Sequence, residues 1–124
     1  MEEVRLFVYG TLKRGFPAER YLQEAQFQGT ATTAPGYALH DLGAYPGLIV
    51  AAGAGTVSGE LYSVSPEDLT RLDRYEGADY SRERIVLSDG SVAEAYVTPA
   101  SSVAGTPRIE GGVWTAKGRG SADF

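Results

Sequence analysis

Leu72-Asp73-Arg74-Tyr75-Glu76-Gly77, with Tyr80 and Arg82 just beyond it, closes a helical pattern. Counting back from Glu76, Leu72 lies one turn earlier and Leu69 two turns earlier, all on one stripe. Upstream, Ser65-Pro66 supplies an N-cap and a proline at the first helical position, Glu67 and Asp68 bring acid to the first turn, and Gly77 is a stop signal. The spacing puts Glu76 on the apolar face with Leu69 and Leu72, at the negative end of the helix dipole. Both surroundings disfavour the charged carboxylate, so this group can hold or release a proton near neutrality, as acid–base chemistry requires. A Glu ending a short helix is more often solvated or paired with an arginine, and Arg74, Arg82 and Arg84 are at hand. Spacing alone leaves both readings open.

Downstream, Tyr80–Leu87 and Val92–Val97 read as strands joined by a turn at Asp89-Gly90, a strong hairpin signal. A period of two places Tyr80, Arg82, Arg84 and Val86 on one face of the first of them. Upstream, Thr30–Thr33, Tyr37–Leu39, Leu48–Val50 and Val57–Val64 are short β-like runs between Gly/Pro turns, which predicts a small, curved antiparallel sheet or barrel. Val4–Tyr9 reads as a buried strand ended by Gly10. The polar turn Gly10-Thr11-Leu12-Lys13-Arg14-Gly15 follows, then helix formers from Pro17 to Ala25. This strand–loop–helix order aims main-chain N–H groups at a common point, ready for a carboxylate or an oxyanion. The turn lacks the Lys-Ser/Thr of a phosphate-binding loop, having Phe16-Pro17 instead.

The 124 residues suit one domain, and 43% hydrophobic content is ordinary for a globular chain. A net charge of −5 argues against nucleic acid or an anionic membrane as partner. No stretch is long and apolar enough to span a bilayer, and Met-Glu-Glu-Val-Arg does not open a secretory leader, so a cytoplasmic protein is expected. With no Cys and one His, His40, zinc and iron sites are disfavoured, and we expect no metal. His40-Asp41 reads as a surface turn pair, since no nucleophile elbow accompanies it. Glu60 is a candidate second acid that nothing ties to Glu76. A one-carboxyl mechanism helped by backbone donors remains.

Val8-Tyr9-Gly10-Thr11-Leu12-Lys13-Arg14-Gly15 resembles the Tyr-Gly-Ser/Thr-Leu signature of the gamma-glutamylcyclotransferase-like family. Gly59-Glu60-Leu61-Tyr62 and Leu72-Asp73-Arg74-Tyr75-Glu76-Gly77-x-x-Tyr80-x-Arg82 resemble its second and third blocks in the same order. Tyr45-Pro46-Gly47-Leu48 is similar to its short inter-strand loop. The likeness runs from Val4 to Val97, and the Lys-Arg-Gly ending resembles the gamma-glutamylamine cyclotransferase branch. It implies an α+β fold, a small mixed β-barrel flanked by short helices. The domain would occupy residues 1–98, with 99–124 a tail, partly docked or flexible, that holds Trp114. It also implies a pocket between the Tyr9–Leu12 loop and a catalytic glutamate at Glu76, a small gamma-glutamyl substrate and no cofactor.

In this reading Gly10, Thr11 and Leu12 bind through their backbone. Tyr9 lines the pocket or is a core aromatic, and Tyr80 walls the glutamyl stem or packs under the helix. Arg82 orients Glu76 or is a strand-face ion-pair partner, the reading we favour; Tyr62 belongs to the core. Two other readings stay open: removal of a gamma-glutamyl protecting group, and a non-catalytic module that binds a small carboxylate. Oligomeric state is not encoded in any motif.

Overall fold

The structure, a computed structural model, describes residues 4–9, 25–42, 46–76, 80–109 and 112, with the side chains of 75, 76, 100 and 102 outside that description. Seven strands and one α-helix lie among these residues: β1 (Val4–Val8), β2 (Gln26–Thr32), β3 (Tyr37–Asp41), β4 (Pro46–Val50), β5 (Ser58–Val64), α1 (Pro66–Glu76), β6 (Ser81–Val86) and β7 (Val92–Val97). Gly10–Gly15, the expected helix from Pro17, Tyr45, Gly77 and Trp114 lie outside the described residues.

Five strands form one sheet in the order β2-β5-β1-β7-β6, and β3 and β4 form a hairpin beside it. β1 is central and entirely apolar from Leu6 onward, as a strand covered on both faces must be. It pairs antiparallel with β5, from Val4 opposite Val64 to Val8 opposite Glu60, and parallel with β7 at Leu6 and Glu94. The sheet is therefore mixed, not purely antiparallel as the turn pattern suggested. Alternating runs do not encode strand direction; α1 supplies the crossover that reverses it.

The sheet curls until its two edge strands touch. Thr33 bridges Leu87, with Ala34 N donating to Val86 O and Ser88 N to Thr32 O, both at 2.9 Å. Among the described residues the backbone bonds between those edges lie at that corner, and the barrel is not closed along its length. The hairpin joins β7 where Thr98 N donates to Leu48 O at 2.8 Å. Residues 107–109 run beside β3, through Asp41 N to Pro107 O and Ile109 N to Leu39 O, each 2.8 Å. Paired with Gly47 and Pro46 of β4, His40 and Asp41 are part of a strand instead of the surface turn expected; His40 Nδ1 lies 3.1 Å from Thr106 Oγ1.

Local chemistry explains α1. Ser65 Oγ accepts from Asp68 N at 3.2 Å, Pro66 opens the helix, and Leu69 and Leu72 are 3% and 2% exposed. Ser65→Ala removes that cap and is expected to cost about 1 kcal/mol, read as a lower urea midpoint at unchanged slope. Between β6 and β7, Gly90 adopts φ +85° while its N–H donates to Leu87 O at 2.9 Å. Asp89 Oδ1 accepts from Ser91 N at 2.9 Å, which fixes the turn and with it the hairpin register.

Candidate active site

Tyr9 follows β1 directly, and its ring is fully buried. Its hydroxyl donates to Tyr96 O at 2.6 Å and accepts from Leu48 N at 3.3 Å. Tyr9 is thus a core aromatic whose polar end ties β1 to both β7 and β4. Tyr80 is buried too, donating to Pro46 O at 2.9 Å. Tyr80 precedes β6 and is buried, whereas Arg82, Arg84 and Val86, expected on the same face, are exposed.

Three residues now converge on Pro46–Leu48: Tyr9, Tyr80 and Thr98. Gly47 makes this approach feasible, because an added Cβ there would lie 3.0 Å from Thr98 Oγ1 and 3.1 Å from Leu42 Cδ1. The Thr98 hydroxyl is buried and has no hydrogen-bond partner among the described residues.

On the helix side, Arg82 Nε and Nη2 donate to the two oxygens of Asp73 at 2.9 and 3.0 Å, and Arg82 Nη1 pairs with Glu94. Tyr96 Oη donates to Asp73 Oδ1 at 2.6 Å. Arg82 therefore anchors a carboxylate one turn before Glu76. The backbone register places Glu76 at the end of α1, one turn beyond Leu72. Its side chain, like Gly10, Thr11 and Leu12, lies outside the described residues.

Sequence reading did not single out Tyr96 or give Asp73 a role. A signal existed: once Asp89-Gly90 is placed in the turn, counting back along the hairpin sets Arg82 opposite Tyr96. Elsewhere, Glu60 accepts from Tyr62 Oη at 3.4 Å. No group of three or more His, Cys, Asp or Glu suited to a metal occurs among the described residues.

The sequence profile of the family described as gamma-glutamyl cyclotransferase, AIG2-like, matches residues 6–116. The chain belongs to that family. A gamma-glutamylcyclotransferase family protein of Escherichia coli K12, YtfP, is 37% identical over 113 residues, spanning 90% of this chain and 96% of its own. A uropathogenic E. coli-specific protein superposes with a TM-score of 0.82 at 27% identity, over 91% of this chain and 93% of its own. An AIG2-like protein of Mus musculus gives 0.75 at 28% identity, over 89% and 88%. The fold and the enzyme class, a gamma-glutamylcyclotransferase-like enzyme, follow. No helix among the described residues of this cyclotransferase is long and apolar enough to cross a membrane.

The ion-pair cluster of the cyclotransferase has a consequence for pH. Burial pushes the Asp73 carboxyl up, but the hydrogen bonds from Arg82 and Tyr96 and the Arg82 charge outweigh it and hold the group below its ordinary 3.8. Arg82 is raised above its usual value, chiefly by the bond to Asp73. A depressed carboxyl stabilises the fold above its unfolded value, and that contribution is lost as pH falls from 3.8 through the folded value. Asp73→Asn is expected to lower stability at neutral pH and to flatten the acid limb of the stability–pH curve. Urea melts on either side of that window test this; parallel curves for both proteins would refute it.

Proposed function

We propose that this cyclotransferase acts on gamma-glutamyl amines, releasing 5-oxoproline and the free amine, with Glu76 as acid and base. The observation that supports it best is the convergence of two segments. A bonded path runs from Asp73, in the helical turn before Glu76, through Tyr96 to Tyr9, the residue before the Gly10 loop.

In the reaction, the Glu76 carboxylate takes a proton from the substrate α-ammonium. The freed nitrogen attacks the side-chain carbonyl carbon and closes a five-membered ring. Backbone N–H groups of Gly10, Thr11 and Leu12 hold the oxyanion or the substrate α-carboxylate. As the tetrahedral centre collapses, the bond to the departing nitrogen breaks and Glu76 passes protons to it. One ammonium hydrogen stays on the lactam nitrogen and two end on the amine, which leaves protonated. Every group needed is in the chain or the substrate. Attack is intramolecular, so a pocket that enforces the folded conformer removes much of the barrier. Tyr80 presents its ring to the glutamyl stem, its hydroxyl being held by Pro46. Arg82 acts through Asp73.

A panel of gamma-glutamyl amines scored for 5-oxoproline tests this reading. Release from at least one simple amine supports it. Turnover only of a gamma-glutamyl-protected peptide or intermediate points to deprotection, and binding without turnover points to a carboxylate-binding module; either result overturns it.

A further inference from the structure

We infer that the Tyr96 hydroxyl, with Asp73, Arg82 and Tyr9, is a positioning device that sets the distance between the last turn of α1, which ends at Glu76, and Tyr9 at the end of β1. The inference rests on the proposed cyclisation but concerns residues outside the acid–base step.

The bonds form one continuous path. Arg82 donates twice to Asp73, and Tyr96 Oη donates to the same carboxylate at 2.6 Å. The backbone carbonyl of that same Tyr96 accepts from Tyr9 Oη at 2.6 Å, and Tyr9 Oη accepts from Leu48 N. Tyr96 thus touches α1 with its side chain and β1 with its main chain. Asp73 is three residues before Glu76, and Tyr9 is one before Gly10. A helix end has unsatisfied carbonyls and frays unless tied down. Here the tie is a two-bond carboxylate–guanidinium fork, the most directional ion pair available to side chains. Glu94 completes it by taking Arg82 Nη1, which fixes the guanidinium plane on the β6–β7 hairpin.

The path is more than general packing. Leu69 and Leu72 already fasten α1 to the core, yet apolar contacts resist sliding weakly because they have no preferred direction. Three charged or hydroxyl donors on one carboxylate fix the rotation and height of the last turn. A misplacement of about 1 Å at a reacting group can cost about 10²-fold in rate, so a device of this kind has a catalytic readout without touching substrate.

Tyr96→Phe removes only the hydroxyl. Its kcat for 5-oxoproline release is expected to fall about 10- to 100-fold with KM changed less than about twofold, since the ring and the pocket stay. Tyr62→Phe is the control: it deletes a part-buried hydroxyl of the same sheet that donates to Glu60 and not to Asp73, and kcat is expected to stay at the wild-type value. Combining Tyr96→Phe with Tyr9→Phe is expected to lose little more than the worse single variant, as members of one unit do. Equal kcat for Tyr96→Phe and Tyr62→Phe at equal folded fraction would overturn the inference, as would losses that multiply in the double variant.

An activity-free measurement separates this inference from the function itself. In backbone amide NMR spectra, Tyr96→Phe is expected to move the signals of both Glu76 and Gly10–Leu12, while Tyr62→Phe leaves them in place. If wild type cyclises no gamma-glutamyl amine, the function reading fails, and these shifts still decide the coupling. Signals that stay put in Tyr96→Phe overturn it.

Discussion

Glu76→Gln is expected to lose about 10²- to 10⁴-fold in 5-oxoproline release, the range that one positioned acid–base group supplies, while the fold persists. Glutamine matches glutamate in shape and still hydrogen-bonds, but it cannot accept the ammonium proton or return one to the departing amine. Both halves of the reaction depend on that shuttle, so kcat falls much more than KM changes. The substitution lies at the end of α1, beyond Leu69, Leu72 and the Asp73–Arg82 pair that hold the helix, so the urea midpoint is expected to stay close to wild type. A folded Glu76→Gln protein with wild-type turnover would remove this residue from the chemistry.

Gly59→Ala is expected to cause a large loss of stability from a single methyl group. A Cβ at Gly59 would lie 2.3 Å from the main-chain oxygen of Val8 and 2.8 Å from Phe7 Cζ. Phe7 has no room to turn, because its side chain is fully buried. The oxygen belongs to β1, the central strand, whose register with β5 sets Val8 opposite Glu60. Relief therefore means parting the strand pair at the middle of the sheet. Overpacking of a core costs about 1–3 kcal/mol where side chains can yield; with backbone as the obstacle the expected cost is about 3 kcal/mol or more. Against a total stability of about 5–15 kcal/mol, that is a large share. An unfolding free energy from urea melts within about 0.5 kcal/mol of wild type would show that β1 and β5 have slack that the geometry denies. Tyr9 follows Val8 directly, so activity is expected to fall as well.

What could be read from the chain alone follows from how local each signal is. The limits of α1 depend on Ser65, Pro66 and the Leu69–Leu72 stripe, all within a dozen residues, and the helix begins where those residues put it. The Asp89-Gly90 turn is equally local. β2 was harder: it begins at Gln26, four residues ahead of the run at Thr30, because a sheet-edge strand alternates polar and apolar residues and looks like loop. The parallel pairing of β1 with β7 joins Leu6 to Glu94, far apart in sequence, and no pattern within either strand reports it. His40 and Asp41 lie in a strand because β4 pairs with them at Gly47 and Pro46, and residues 107–109 bond to the same strand from far away in sequence.

The candidate site divides in the same way. Tyr9, Glu76, Tyr80 and Arg82 stand out in short motifs, whereas the carboxylate that Arg82 holds is a tertiary fact. Tyr96 is an unremarked member of a strand until the hairpin register sets it opposite Arg82, and Thr98 gains meaning only beside Gly47.

Product analysis in ¹⁸O-labelled water tests ring closure most directly. Intramolecular attack by the substrate's own nitrogen predicts 5-oxoproline and free amine in equal amounts, with no ¹⁸O in the 5-oxoproline. Labelled glutamate in its place would mean that water is the nucleophile, and the cyclising mechanism at Glu76 would be contradicted.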